Sequence, residues 1–213
     1  MGNWEWGIIL ANKWRIQTFN IRGDIFPDPE NFDWMKNKKP YKVEEFTVEI
    51  SADDYIRGFR DAEKFMGFCR DCGNYGKVWG CPPFDYDQEA YLRQWSQVRL
   101  LAVKITPAEK GLPLERVQDF IRPERIRIER LQREWERESG GRSFAFVGKC
   151  LYCESCTRPQ GLPCRHPDLV RPSLEAFGFD IGKTLTDLFG IELRWSTDGR
   201  IPDYLTLVSG YFH

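Results

Sequence analysis

The chain has almost no net charge, almost no histidine and no long apolar run. Its 31 Lys and Arg nearly balance 32 Asp and Glu, for a formal charge of -1. A protein that binds nucleic acid by neutralising phosphates carries a basic excess, so this balance argues against that class. The longest apolar runs, such as Gly7 to Ala11 and Leu100 to Val103, fall far short of the roughly 20 residues a membrane span requires. No basic stretch followed by an apolar one opens the chain, as a secretory signal would, and Trp6 stands where a myristoylation site wants Ser or Thr. With two His, one of them the terminal His213, no Ser-His-Asp set can be assembled. Gly182-Lys183-Thr184 lacks the earlier glycine of a phosphate loop, because Phe177 occupies that position, and it reads as an ordinary first helical turn. A composition 41% hydrophobic is too apolar for disorder, and the expectation is a soluble, cytoplasmic, folded chain.

What the chain does have is cysteine in two groups: Cys69, Cys72 and Cys81, then Cys150, Cys153, Cys156 and Cys164. Seven is odd, so disulfides cannot pair them all, and a cytoplasmic setting keeps thiols reduced. Pairs two residues apart place both sulfurs on one side of a tight loop, where a metal joins them. Cys150, Cys153 and Cys156 form a C-x2-C-x2-C run with Cys164 following. Three thiolates at this double spacing wrap three corners of a cubane, whereas tetrahedral zinc more often uses separate C-x2-C knuckles. The run therefore favours a [4Fe-4S] cluster over zinc.

The first group offers three thiolates among Gly73, Gly76 and Gly80, with Pro82 and Pro83 stiffening its exit. It is open to three outcomes: a cluster with one open or non-Cys iron, a zinc with a fourth ligand, or a site shared with the second group. A Cys-Pro such as Cys81-Pro82 ligates the other cluster in two-cluster ferredoxins, so exchange of ligands between the groups belongs with the third outcome. His166 is a candidate eighth ligand, or a hydrogen-bond partner behind the ligands. Tyr75, Trp79 and Tyr152 flank the sulfurs and shield them, and Arg70, Lys77, Lys149 and Arg165 adjoin them as counter-charges.

The motif Cys-x2-Cys-Gly-Asn-Tyr-Gly-Lys-x-Trp-x-Cys-Pro-Pro, the C-x2-C-x2-C run, Gly-Leu-Pro-Cys-Arg-His-Pro and Arg-Pro-Ser-Leu-Glu-Ala-Phe-Gly-Phe-Asp carry a resemblance. Together they resemble a bacterial and archaeal family of predicted metal-binding, cysteine-rich proteins of unknown function, over Glu45 to the C-terminus. The resemblance implies metal binding by the seven Cys.

Residues 1–44 hold Trp4, Trp6, Trp14 and Trp34 and read as an irregular arm, lying on its own body or docking a redox partner; residues 45–213 read as one metal-binding domain. Within it the pattern predicts a strand at Phe46 to Ile50 and a helix from an N-cap at Ser51 to Phe68. A helix at Gln88 to Trp95 leads to a buried strand at Val98 to Ile105. Leu114 to Glu138 reads as helical with a break before Pro123, an apolar stripe of Val117, Ile121, Ile128, Leu131 and Trp135, and a stop at Gly140-Gly141. Its alternating Arg and Glu residues read as a solvated face. A strand at Ser143 to Val147, a helix at Asp180 to Phe189 and strands at Glu192 to Trp195 and Tyr204 to Phe212 complete the chain, with His213 frayed. The fold expected is α/β or α+β, a mixed sheet flanked by helices with two Cys-rich loops at element ends. The function expected is an iron–sulfur protein with an electron-transfer or redox-accessory role, holding one or two [4Fe-4S] clusters. Its rivals are a zinc-stabilised interaction module and a redox enzyme using an open iron at the three-Cys group.

Overall fold

A computed structural model describes residues 40–145, 148 and 150–213; the arm to residue 39, the expected strand end at 146–147 and Lys149 lie outside them. The described elements are β1 (Tyr41–Ser51), α1 (Ala52–Phe59), α2 (Ala62–Asp71), α3 (Gln88–Leu92), β2 (Gln97–Pro107), α4 (Val117–Ser139), β3 (Arg142–Phe144), α5 (Ile181–Phe189) and β4 (Leu205–Phe212), with short 3-10 turns between some of them. Residues 41–44, counted with the arm in the sequence, begin β1. The strand order is β1-β2-β4-β3 and every ladder is antiparallel. The class is thus α+β, and its sheet is antiparallel rather than mixed. Among the described residues no helix is long and apolar enough to cross a membrane.

The period-2 alternation of a strand divides the core between two faces. On one face Val48, Ile50, Leu100, Val208 and Phe212 pack with Tyr55 of α1, Leu185 of α5 and the loop residues Phe177 and Phe179. Tyr55 stacks on Phe179 at 4.5 Å between ring centres, and its hydroxyl shares a 3.0 Å hydrogen bond with Thr184. On the other face Leu101, Val103, Ile105 and Leu207 meet Phe120 and Ile128 of α4. Helices thus cover both faces, and β2 is buried on both, as its unbroken apolar run requires.

Five local expectations are overturned. The helix after Ser51 is two helices, because Arg60 turns extended and Asp61 caps α2, accepting from the Lys64 N–H. The break is fixed from afar: Asp61 N–H donates to Gly178 O, and Asp180 N–H donates to Phe59 O, each at 2.8 Å. Gly178 sits at φ +86°, and a Cβ there would lie 2.7 Å from Ala62 Cα, so the close approach of the two segments demands glycine.

Pro123 lies inside α4 and does not break it. An interior proline costs about 3 kcal/mol, and burial of Phe120 and Ile128 on either side, each contributing about 1.5–3 kcal/mol, offsets it. Glu192 to Trp195 makes no strand; among the described residues it has no ladder partner, and Trp195 is 75% exposed. His213 is held, not frayed: its N–H donates to Gln97 O at 3.0 Å, and its carbonyl accepts from Ser96 and Gln97.

The charged face of α4 is also not simply solvated, since Glu124, Arg125, Glu129 and Gln132 are buried. Arg127 pairs with Glu124 at 2.7 Å and with Glu45 of β1, and Arg133 pairs with Glu129. Further along, Glu136 accepts from Arg171 Nε at 2.7 Å and Nη2 at 2.6 Å, and from the Ser143 N–H at 2.7 Å. Burial opposes ionisation of Glu136, but the bonds from Arg171 and Ser143 win and hold its carboxyl at about 2. Because this value lies below that of an unfolded Glu, the contribution to stability is complete above pH ~5 and is lost as pH falls toward 2. Glu136→Gln leaves Arg171 buried without its counter-charge and is expected to cost about 3 kcal/mol in urea unfolding at pH 7. The gap between variant and parent should close as the titration proceeds to pH 2.

Candidate metal centre

Cys69 lies in the last turn of α2, and Cys72 caps that helix, its N–H donating to Cys69 O at 3.1 Å. Successive turns carry the chain back on itself: Tyr75 N–H to Cys72 O at 3.1 Å, Lys77 N–H to Asn74 O at 3.0 Å and Cys81 N–H to Val78 O at 3.0 Å. Gly76 N–H donates across the loop to Pro82 O at 2.8 Å, which sets Cys81 back toward the helix end. The Pro82–Pro83 peptide is cis. All seven thiols are free; Cys72 is exposed and the other six are half-buried.

The second group leaves β3 and is hung from α4. Tyr152, between Cys150 and Cys153, accepts from Arg133 Nε at 2.9 Å and donates to Glu129. Arg133 also donates to Leu169 O, beyond Cys164. The His166 N–H donates to Cys164 Sγ at 3.4 Å, and the His166 ring lies 5.7 Å from that of Tyr152.

The two loops interlock. Arg158, two residues after Cys156, donates from Nη1 to Val78 O at 2.9 Å and to Cys81 O at 2.6 Å, and from Nη2 to Pro83 O. Its guanidinium lies 5.1 Å from the centre of the Trp79 ring. Trp79 Nε1 donates in return to Thr157 Oγ1 at 3.3 Å and to Leu162 O at 3.2 Å. Thr157 Oγ1 donates to Pro163 O at 2.8 Å, and Asn74 Nδ2 donates to Gly148 O at 3.2 Å.

Burial pushes the Cys81 thiol up to about 11, Cys72 and Cys69 adding to the rise; Arg158 works against it, and Cys150 of the other loop adds to it. Cys69 is raised by burial, then by Cys72 and Glu175. Burial also raises Cys150, with Cys153, Cys164 and Cys156 adding, while the Tyr152 N–H at its sulfur works the other way. The sulfurs are thus electrical neighbours within each loop, and Cys81 and Cys150 feel each other between loops. Among the described residues, however, no three His, Cys, Asp or Glu side chains are drawn up to the spacing of a metal's ligand shell. The half-buried thiols of Cys69, Cys81 and Cys150 resist ionisation, so a cation bound to them would displace protons.

Three residues that the structure sets apart around the Cys loops and the helix leading into them escaped the sequence. Arg158 and Thr157 have partners some 80 residues away in the chain, and Arg158, not a residue beside a Cys, is the cation that opposes the rise at Cys81. Glu175 lies in the Glu175–Phe177 3-10 turn, which packs on α2. Burial pushes its carboxyl up, although its own backbone N–H and Ser173 favour the anion. Its Oε2 is shut off from solvent and has no hydrogen-bond partner. The signal for it was the Arg-Pro-Ser-Leu-Glu motif, which carried a family resemblance but no chemical role.

Arg158→Lys keeps the charge and loses the fork that reaches three carbonyls at once. The expected result is faster amide hydrogen exchange across residues 74–83 and 157–163, by about 10-fold or more if the lost bonds are worth ~1.4 kcal/mol or more, with the sheet unchanged. Equal protection in variant and parent would show that the loops are held together by something else.

The model of a family described as predicted metal-binding protein (DUF2284) matches residues 56–210. No curated protein and no solved structure matches the chain. Since that match takes in both Cys groups and most of the chain, the protein belongs to this family of predicted metal-binding proteins.

Proposed function

We propose that Cys150, Cys153, Cys156 and Cys164 hold a [4Fe-4S] cluster, that Cys69, Cys72 and Cys81 hold a second metal, and that the protein passes electrons to, or helps mature, a redox enzyme. The observation that carries this reading is the Arg158–Trp79 interlock, which keeps the two Cys loops in contact and Cys81 within the electrostatic reach of Cys150. The donor set fits: soft thiolates select zinc, copper(I) and iron–sulfur clusters, and the four sulfurs of the second group match a cubane's four corners. Backbone N–H groups at the sulfurs of Cys150 and Cys164 are the kind of bond that tunes a cluster's potential. Tyr152 and Trp79 flank the sulfurs with apolar rings while their polar tips are bonded, which limits water beside the loops. A bound cluster would supply one-electron chemistry; the chain orients it and sets its surroundings.

A second reading places zinc at both groups as a structural staple. It draws on the first loop, where Cys69 and Cys72 close a helix end as a zinc knuckle does.

Anaerobic purification with iron, zinc and acid-labile sulfide assays separates the two. The expected result is a brown protein with about four iron and four sulfide per chain. Cys153→Ser should remove the iron and sulfide, and Cys81→Ser should leave them in place. A colourless protein with zinc and no sulfide would overturn the cluster and leave the staple.

A further inference from the structure

We infer that the cleft between the first Cys loop and the start of α3 binds an uncharged, planar nitrogen heterocycle with a lactam edge, of the guanine or pterin kind. Nothing in this site depends on what the cysteines hold.

The cleft is open on one side and has a volume of about 480 Å³, within the roughly 300–1,000 Å³ of small-molecule sites. Met66 of α2, Tyr75 of the Cys loop, Phe84 and Tyr86 line it with a thioether and three rings. Two of the rings are braced by the core. Phe84 lies 5.2 Å from the fully buried Phe177 and 5.4 Å from Tyr86, which in turn lies 5.3 Å from Tyr91. Tyr86 is nonetheless 43% exposed, so part of its ring is open to a flat guest, and flat heterocycles stack well on such rings.

The polar end of the cleft is equally fixed. Arg60 and Gln88, both in its lining, are anchored at adjoining carbonyls of one 3-10 turn: Arg60 Nε donates to Phe177 O at 2.8 Å, and Gln88 Nε2 donates to Ala176 O at 3.1 Å. Arg60 Nη1 reaches Glu89 at 3.3 Å, and among the described residues Nη2 has no partner, which leaves a donor for a ring carbonyl. Asp87, next to Gln88 in the chain, caps α3 through Oδ1 alone, accepting from the Glu89 N–H at 2.9 Å and the Ala90 N–H at 3.1 Å. Its Oδ2 is left to accept from a ring N–H.

The charges around the cleft already balance. Glu89 sits between Arg60 and Arg93, the latter donating at 2.8 Å from Nη2, and the Asp87 carboxylate is the one remaining partner for these two cations. A guest of either net charge would bring an unanswered ion, whereas a neutral lactam offers C=O beside N–H and meets the donor and the acceptor together. Because rings and polar groups are held before the guest arrives, little ordering opposes its binding.

Equilibrium dialysis of the full chain against guanosine tests this, with 1-methylguanosine, which lacks the ring N–H, as the matched comparison. Guanosine is expected to be retained, and 1-methylguanosine to bind about 10-fold or more weakly, since a hydrogen bond to a charged acceptor is lost. Tyr86→Ala, at a half-exposed position, should weaken guanosine at least ~5-fold through the lost stacking. Asp87→Asn keeps a good helix cap but removes the anionic acceptor, and should erase the difference between the two nucleosides. No retention at millimolar guanosine, equal binding of the two nucleosides by the parent chain, or unchanged affinity in Tyr86→Ala would overturn the inference. A preference for guanosine that survives Asp87→Asn would do so too.

Discussion

The carboxylate of Glu136 fixes both ends of the segment that carries the second Cys group. It takes the backbone N–H and hydroxyl of Ser143, in β3 just before that segment, and both arms of Arg171, just after it. Arg171 is almost fully enclosed, and its remaining nitrogen caps the carbonyls of Asp168 and Val170. In so enclosed a place an ion pair acts more as a geometric rule than as a source of stability, since desolvation consumes most of the attraction while the loss of either partner is severe. The same helix, α4, covers one face of the sheet with Phe120 and Ile128 and grips Tyr152 through Glu129 and Arg133. Packing and site are therefore set by one element.

The first loop is supported from the other face. It issues from α2, whose start is pinned by Gly178 and whose flank carries the Glu175 turn, and both belong to the core around Tyr55 and Phe179. Neither loop has a core of its own. They lie against each other through Arg158, Trp79, Thr157 and Asn74, contacts made largely by side chains reaching to backbone carbonyls. A carbonyl accepts whatever residue supplies it, so Arg158 depends on the path of residues 78–83 rather than on their side chains. The cysteines are thus positioned by the two packed faces and held together by a few forked bonds between them.

What the sequence made legible was whatever is decided locally. Ser51 and Asp180 cap helices, Gly140 ends α4 in the left-handed region, and the unbroken apolar run of β2 marks a strand buried twice. The clustering of the seven Cys into two loops was legible for the same reason, because it is written in their spacing. The rest required distance. Nothing near Arg60 announces that its neighbours Phe59 and Asp61 bond to Asp180 and Gly178, and nothing near Pro123 announces that flanking burial carries a helix through it. Leu193 alternates with Ile191 into the core as a strand would, yet no neighbouring strand offers a ladder among the described residues. The Arg and Glu alternation on α4 looks solvated until β1 and the second loop are laid on it.

The two loops differ in what faces sulfur, and the difference bears on their chemistry. At the second group, backbone N–H groups reach Cys150 and Cys164. Such bonds draw electron density from a thiolate without supplying a ligand of their own. At the first group, the additional feature is the guanidinium of Arg158, which donates to the Cys81 carbonyl and opposes the rise of that thiol. The two cysteine groups thus differ in their surroundings: backbone N–H groups meet sulfur in the second, while in the first a guanidinium holds the Cys81 carbonyl.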